Sequence, residues 1–205
     1  MKTYIRRLFA PLVHPVGGFD DYRERRFFPL LPSLIVLALF FFARVAQQQL
    51  TGFIFNWDNP QEMNIWFILL ETIGLFVIWV GCNWAVSTLL DGKGRFREIW
   101  VVSAVALIPY VAGVYLEVLM SNLLLEDEGT FMTWVVAVGM LYSVLLMLGA
   151  LSVIHEYTIG KVLWSCLLTL AFMVIILFVC VLLFSLFQQV IGFFEDLYTE
   201  IRFRL

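Results

Sequence analysis

Charge is the scarcest ingredient of this sequence. Of its 205 residues only 14% are Asp, Glu, Lys or Arg, whereas 62% are hydrophobic, against roughly a quarter charged in an ordinary soluble domain. That balance excludes a water-soluble globular fold and predicts an integral membrane protein. Histidine occurs twice and cysteine three times. Cys82, Cys166 and Cys180 lie inside apolar runs without a CxxC or Cys/His partner, so neither a disulfide framework nor a thiolate metal site is expected. His155-Glu156-Tyr157 lacks the second histidine of HExxH and falls at a helix end, and no GxSxG occurs. No catalytic residue, cofactor or metal is therefore expected, and the chain reads as a non-enzyme. The basic residues sit where a membrane face would need them, so nucleic acid is not an expected partner, and no small-molecule substrate is identified. The tail before the first apolar run is too long for a cleavable signal peptide, and that run ends in Arg44 rather than a small-residue cleavage site.

Long apolar runs are what the sequence does have. Five of them, at about 27–46, 65–90, 99–123, 131–154 and 162–187, are long enough at 1.5 Å per residue to cross a hydrocarbon core of about 30 Å. Pro29 and Pro32 fall in the opening turns of the first, where a missing amide donor costs little. The fold class is all-α: a bundle of five transmembrane helices over 27–187, preceded by a segment 1–26 and followed by a tail 188–205. Tyr4, Ile5, Leu8, Phe9 and Leu12 share one helical face against Lys2, Arg6 and Arg7, which predicts a surface helix attracted to anionic headgroups. His14-Pro15 and Gly17-Gly18 are expected to break the chain, with Asp21 and Glu24 resembling a capping box for the next helix. Val190, Phe194, Leu197 and Ile201 recur at helical spacing, with Glu195, Asp196 and Glu200 elsewhere, so the tail reads as an amphipathic extension of the fifth helix.

Basic residues set the orientation. Lys2, Arg6, Arg7, Arg23, Arg25 and Arg26 precede the first span, Lys93, Arg95 and Arg97 separate the second from the third, and Lys161 separates the fourth from the fifth. Segments 47–64 and 124–130 contain none, and the latter carries Glu126, Asp127 and Glu128. The positive-inside rule predicts a multi-pass plasma-membrane protein, N-terminus cytoplasmic and C-terminus extracytoplasmic, with Arg202 and Arg204 dissenting.

Ionisable residues inside spans are the default functional candidates. Here they are Arg44, Glu71 and Glu117. With Gly94 as the tip of the second turn, Glu71 lies 23 residues before it and Glu117 lies 23 after, which sets both carboxylates at one height, close to that of Arg44. A bridge from Arg44 to either or both is expected. A proton or cation site in a transporter or channel component is one reading of this cluster. An ion-paired clamp is the other, favoured because the groups lie only a turn or two from water. Asn83 can hydrogen-bond across helices, and Pro109, beside Tyr110, invites a kink.

The turn Asp91-Gly92-Lys93-Gly94-Arg95-Phe96-Arg97-Glu98 carries the remaining candidates. Gly92 suits the left-handed position that ends a helix, and Glu98 suits the positive end of the next dipole. Lys93, Arg95 and Arg97 can meet phosphate headgroups with Phe96 inserted beside them. GKG between helices is not the GxxxxGK[ST] of a phosphate-binding loop.

This turn and its flanks resemble the Yip (Ypt-interacting protein) family of polytopic membrane proteins, in its broad bacterial form. The resemblance rests on Asn83-Trp84, Thr88-Leu89, Asp91 through Ile99, Ala106 through Tyr110 and His14-Pro15 through Phe19. It implies a helical bundle with a cytoplasmic N-terminus and a lumenal or extracellular C-terminus. Eukaryotic members bind small GTPases through cytoplasmic parts, but their long N-terminal domain and DLYGP pattern are missing here, so GTPase binding is not carried over. The bacterial branch implies an accessory protein of the membrane, with a transport system among its candidate partners. The expectation is thus a scaffold or accessory subunit that binds a membrane protein or organises lipid through the cytoplasmic interaction turn at 91–98 and the N-terminal surface helix.

Overall fold

The computed structural model describes residues 9–56 and 63–204, and among these every regular element is helical. Five helices are long and apolar enough to cross a membrane. A short helix α1, Pro15–Glu24, precedes α2, Leu30–Leu50, α3, Ile65–Leu89, and α4, Phe96–Ser121. The last two are α5, Gly129–His155, and α6, Ile159–Arg204. Local sequence sets each start. Pro29 holds an extended backbone (ψ 121°) before α2, so the first span begins at Leu30 instead of the expected Phe27. The Asn64 side chain accepts from the amides of Trp66 and Phe67 at 3.0 and 3.2 Å, capping α3. The Glu98 carboxylate accepts from the Arg95 amide at 3.0 Å, closing the first turn of α4.

The bundle has two ends, one carrying the turn at 91–95 (the turn end) and the other carrying residues 51–56, 63–64 and 122–128 (the far end). The core is continuous from one to the other. At the turn end Phe19 and Tyr22 of α1 are buried with Val101, Val102 and Val105 of α4 and Leu146, Ala150 and Ile154 of α5. Higher up, Leu37 of α2 packs with Phe76 and Val80 of α3 and Ile99 and Ala104 of α4. Toward the far end Ala43 of α2 meets Val111 and Val114 of α4. Helices α4 and α5 approach closely at Gly139, where a Cβ would stand 2.7 Å from the carbonyl oxygen of Pro109. A small residue at a helix crossing permits that approach.

Three local expectations are corrected. The chain bends at His14, but Gly17-Gly18 lie inside α1; Gly18 serves close packing there, since a Cβ on it would stand 2.5 Å from the Pro11 Cα. Asp21 is inside α1 too and pairs with Arg25 instead of capping a following helix. Within the predicted surface segment Phe9 and Val13 are exposed, whereas Phe19 and Tyr22 are fully buried. Lys2, Tyr4, Ile5, Arg6, Arg7 and Leu8 of the expected surface helix lie outside the described residues.

Helix α6 differs from the rest. Its 46 residues extend about 69 Å at 1.5 Å per residue. It packs through one stripe, Val162, Ser165 and Thr169, and no residue from 171 to 203 is buried.

Candidate functional site

Near the far end the intramembrane charges converge. Arg44 lies six residues before the end of α2, Glu71 six after the start of α3, and Glu117 four before the end of α4. Each is therefore one to two turns from its helix end. An Arg44 guanidinium nitrogen meets a Glu71 carboxylate oxygen at 2.9 Å. The other nitrogen donates to the Gln47 side-chain oxygen, and Gln47 Nε2 donates to Glu117 Oε2 at 2.6 Å. Arg44 bridges Glu71 directly and reaches Glu117 through Gln47, one turn further along α2. The polar chain Glu71–Arg44–Gln47–Glu117 ties α3, α2 and α4 together. Its two carboxylates and one guanidinium leave a formal charge of about −1. Arg44 and Glu71 retain 25% and 35% of their side-chain exposure, so solvent weakens the pair relative to a fully buried one.

Glu71 occupies an unusual turn. Leu70–Gly74 is π-helical, a local widening that recurs at functional sites. The Thr72 hydroxyl donates to the Ile68 carbonyl at 2.7 Å. Beside this turn is a cavity of about 680 Å³ among α2 to α6, walled by Phe76, Trp79, Met140, Met147 and Leu170; Glu71 lines it and Arg44 and Glu117 do not.

The kink in α4 lies on the same cavity wall. The α-helix ends at Ala106 and resumes at Ile108. The Leu107 amide bonds Ala104 at 3.2 Å, and the Tyr110 amide donates across to the Ser143 hydroxyl of α5 at 2.9 Å. Ser143 thus supplies an acceptor where Pro109 interrupts the ladder. The Tyr110 ring stands edge-on to Phe40 at 5.9 Å.

At the turn end the residues around 91–98 are engaged with the end of α5. The Gly94 amide donates to His155 Nδ1 at 3.3 Å. His155 Nε2 stands 3.4 Å from Asn83 Oδ1, and Asn83 Nδ2 donates to Thr169 Oγ1 at 3.3 Å. An imidazole that accepts at Nδ1 carries its proton at Nε2, so one neutral ring joins the turn to α3 and, through Asn83, to α6. Glu156 pairs with both Lys93 and Arg23. The Tyr157 hydroxyl donates to the carbonyls of Leu90 and Ser87 at 3.1 and 3.3 Å, and its ring stacks on His155 at 5.2 Å. Burial, with the nearby charge of Asp91, raises the Tyr157 phenol above its ordinary value. Arg97 donates twice to the Phe28 carbonyl, at 2.9 and 3.2 Å, fixing the entry to α2. Two of the turn's three basic residues therefore hold the bundle together. Arg95 has an exposed side chain, and Phe96, 44% exposed, stands edge-on to Trp84 at 6.3 Å.

The left-handed position falls on Asp91 (φ 58°), not on Gly92 as expected. Gly92 is required by space: a Cβ there would lie 2.6 Å from the Tyr157 hydroxyl and 2.7 Å from His155 Nδ1. Asp tolerates the left-handed region better than most residues, which frees the glycine for the contact.

The family model described as the Yip1 domain matches residues 9–190. The chain belongs to the Yip1 domain family. No curated protein and no solved structure matches it.

In this Yip1 domain the structure unites Arg44, Glu71 and Glu117 in one chain, sets Asn83 beside the 91–98 turn, and places Pro109 and Tyr110 midway between. Three participants escape sequence reasoning. Gln47 has as its cue only its i,i+3 relation to Arg44. Ser143 has none. His155-Glu156-Tyr157, set aside as a failed metalloprotease motif at a helix end, contains a buried histidine, 1% exposed, and an acid complementary in sign to the basic turn. That complementarity was its available signal.

Proposed function

We propose that this Yip1-domain protein is a non-enzymatic scaffold or accessory subunit of the plasma membrane, of the bacterial type, that binds another membrane protein through α6. The observation that carries this reading is the length and exposure of that helix. A bilayer needs about 20 to 25 helical residues, which from Ile159 is used up near residue 183. Beyond it Phe187, Val190, Phe194, Leu197 and Ile201 are exposed. They belong to an exposed apolar surface that also includes Ile191, Phe193, Tyr198 and Phe203 and that Asp196 and Glu200 interrupt. An exposed apolar stripe of that length outside the hydrocarbon favours an interface with another chain. The basic-residue count favours a cytoplasmic turn end, which places the stripe on the extracytoplasmic side.

The rival reading, a transport component, calls for Arg44, Glu71 and Glu117 to line one path. Their mutual pairing, with only Glu71 lining the cavity, favours the clamp. The proposal is tested by purifying the full chain and a chain lacking 188–205 in mild detergent after in-cell cross-linking. The full chain is expected to retain one partner in fixed proportion that the shortened chain loses. Equal recovery from both, or recovery of the full chain alone, contradicts the reading.

A further inference from the structure

We infer that the α6 interface is a helix-against-helix seam whose partner is a different membrane protein, one whose spanning helix leaves the bilayer with an apolar stripe and basic side chains. This rests on α6 being the interface. The seam is continuous with a surface that is already packed. Helix α6 faces its own bundle through Val162, Cys166, Thr169, Met173 and Ile176, spaced alternately four and three residues apart. Val162 is buried with Leu151 and Tyr157, Thr169 is bonded to Asn83, and Met173 lines the cavity toward α3 and α5. Between 170 and 191, Met173 and Ile176 are the two residues that keep partial cover. The same spacing runs on unbroken through Cys180 and Leu183 to Phe187, Val190, Phe194, Leu197 and Ile201.

Inside the hydrocarbon such a repeat carries little information, because nearly every residue there is apolar. Beyond about residue 183 the chain is mixed, and no polar residue of 184–202 occupies a seam position: Gln188, Gln189, Glu195, Asp196, Thr199 and Glu200 all fall between them. The wider apolar surface is interrupted; this line is not. An apolar 3.5-residue repeat held over about four heptads is the pattern of a helix that pairs with another in a left-handed supercoil. Charge then chooses the partner. Two copies of this chain share one orientation in the membrane, so a symmetric pair sets their α6 helices parallel. Glu195, Asp196 and Glu200 of both copies would then lie at one height, and Arg202 and Arg204 of both a turn further out. Like charges so aligned disfavour self-pairing, and a partner basic at the level of 195–200 is favoured instead.

The test uses the full chain, cross-linked in cells and recovered in mild detergent with the protein it retains. Two alanines inserted between Gln188 and Gln189 turn everything beyond them by about 200° and break the seam outside the bundle. The thermal midpoint is expected to stay unchanged while recovery of the partner falls at least about ten-fold. Gln188→Ala with Gln189→Ala, which keeps the phase, should retain it. Glu195→Lys, Asp196→Lys and Glu200→Lys together should lower recovery several-fold, with a larger loss at low ionic strength than at high. Equal recovery by the insertion and the full chain overturns the seam and leaves α6 as the interface; a full chain that retains nothing overturns both. Recovery indifferent to the three reversals overturns the basic partner. A differently tagged copy of this chain as the retained protein overturns the choice of a different one.

Discussion

At the scale of single residues the two ends of the bundle rest on different chemistry. Gln47 is an uncharged relay between Arg44 and Glu117, so Gln47→Leu removes two hydrogen bonds to charged groups. It is expected to lower stability by about 1–3 kcal/mol, read as a fall in the thermal midpoint in detergent, whereas Gln48→Leu on the same turn should change little. Arg44→Met is expected to cost less than the 3–5 kcal/mol or so typical of breaking a buried pair, because both partners keep some exposure. At the turn end the glycines are the sensitive points. Gly94→Ala would place a Cβ 2.5 Å from the Ile154 Cγ2 and 2.7 Å from the His155 ring, and is expected to destabilise by about 1–3 kcal/mol. The Tyr157 phenol is raised above its ordinary value. Its contribution is therefore complete below a pH of about 10, the unfolded value, and is lost as pH rises through the higher folded one. Tyr157→Phe should remove that alkaline step from a stability profile.

At the scale of elements the helices were readable because hydropathy alone marks a span, and what sequence could not supply was the contacts between them. The first span began three residues late because Pro29 dictates backbone before hydropathy has a say. Glu71, Arg44 and Glu117 were brought together by counting residues from Gly94, since antiparallel helices of equal rise preserve height. The same counting could not see Gln47, whose role depends on side-chain reach, nor the π turn at Leu70–Gly74, which leaves no mark on apolar periodicity. Ser143 was invisible for a related reason: its partner is an amide on another helix. Ser143→Ala should leave the Tyr110 amide without its acceptor and cost about 1–3 kcal/mol. A thermal midpoint unchanged by that substitution would mean that the kink at Pro109 does not lean on α5.

At the scale of the whole molecule the bundle is closed at the turn end by Arg23, Lys93, Glu156 and His155, tied at the far end by the Arg44 chain, and open along α6. The turn at 91–98 is occupied with holding its own bundle, through Lys93 and Arg97. Arg95 and Phe96 are the exposed residues there that this engagement leaves over beside Asp91. The long helix carries exposed apolar surface beyond the length a bilayer needs, and this contrast favours α6 as the proposed interface. Single cysteines at 94 and 127 should label from opposite sides of the membrane, because one span, α4, lies between them; labelling from one side would contradict five spans. The most direct measurement is a photo-cross-linking scan of α6 in living cells, with a photoreactive residue placed in turn at 187, 190, 194, 197 and 201, and at 196 and 200 as controls. One discrete cross-linked protein species at the apolar positions and none at the controls is the predicted result. Uniform cross-linking around the helix, or cross-links to lipid alone at every position, would contradict the account.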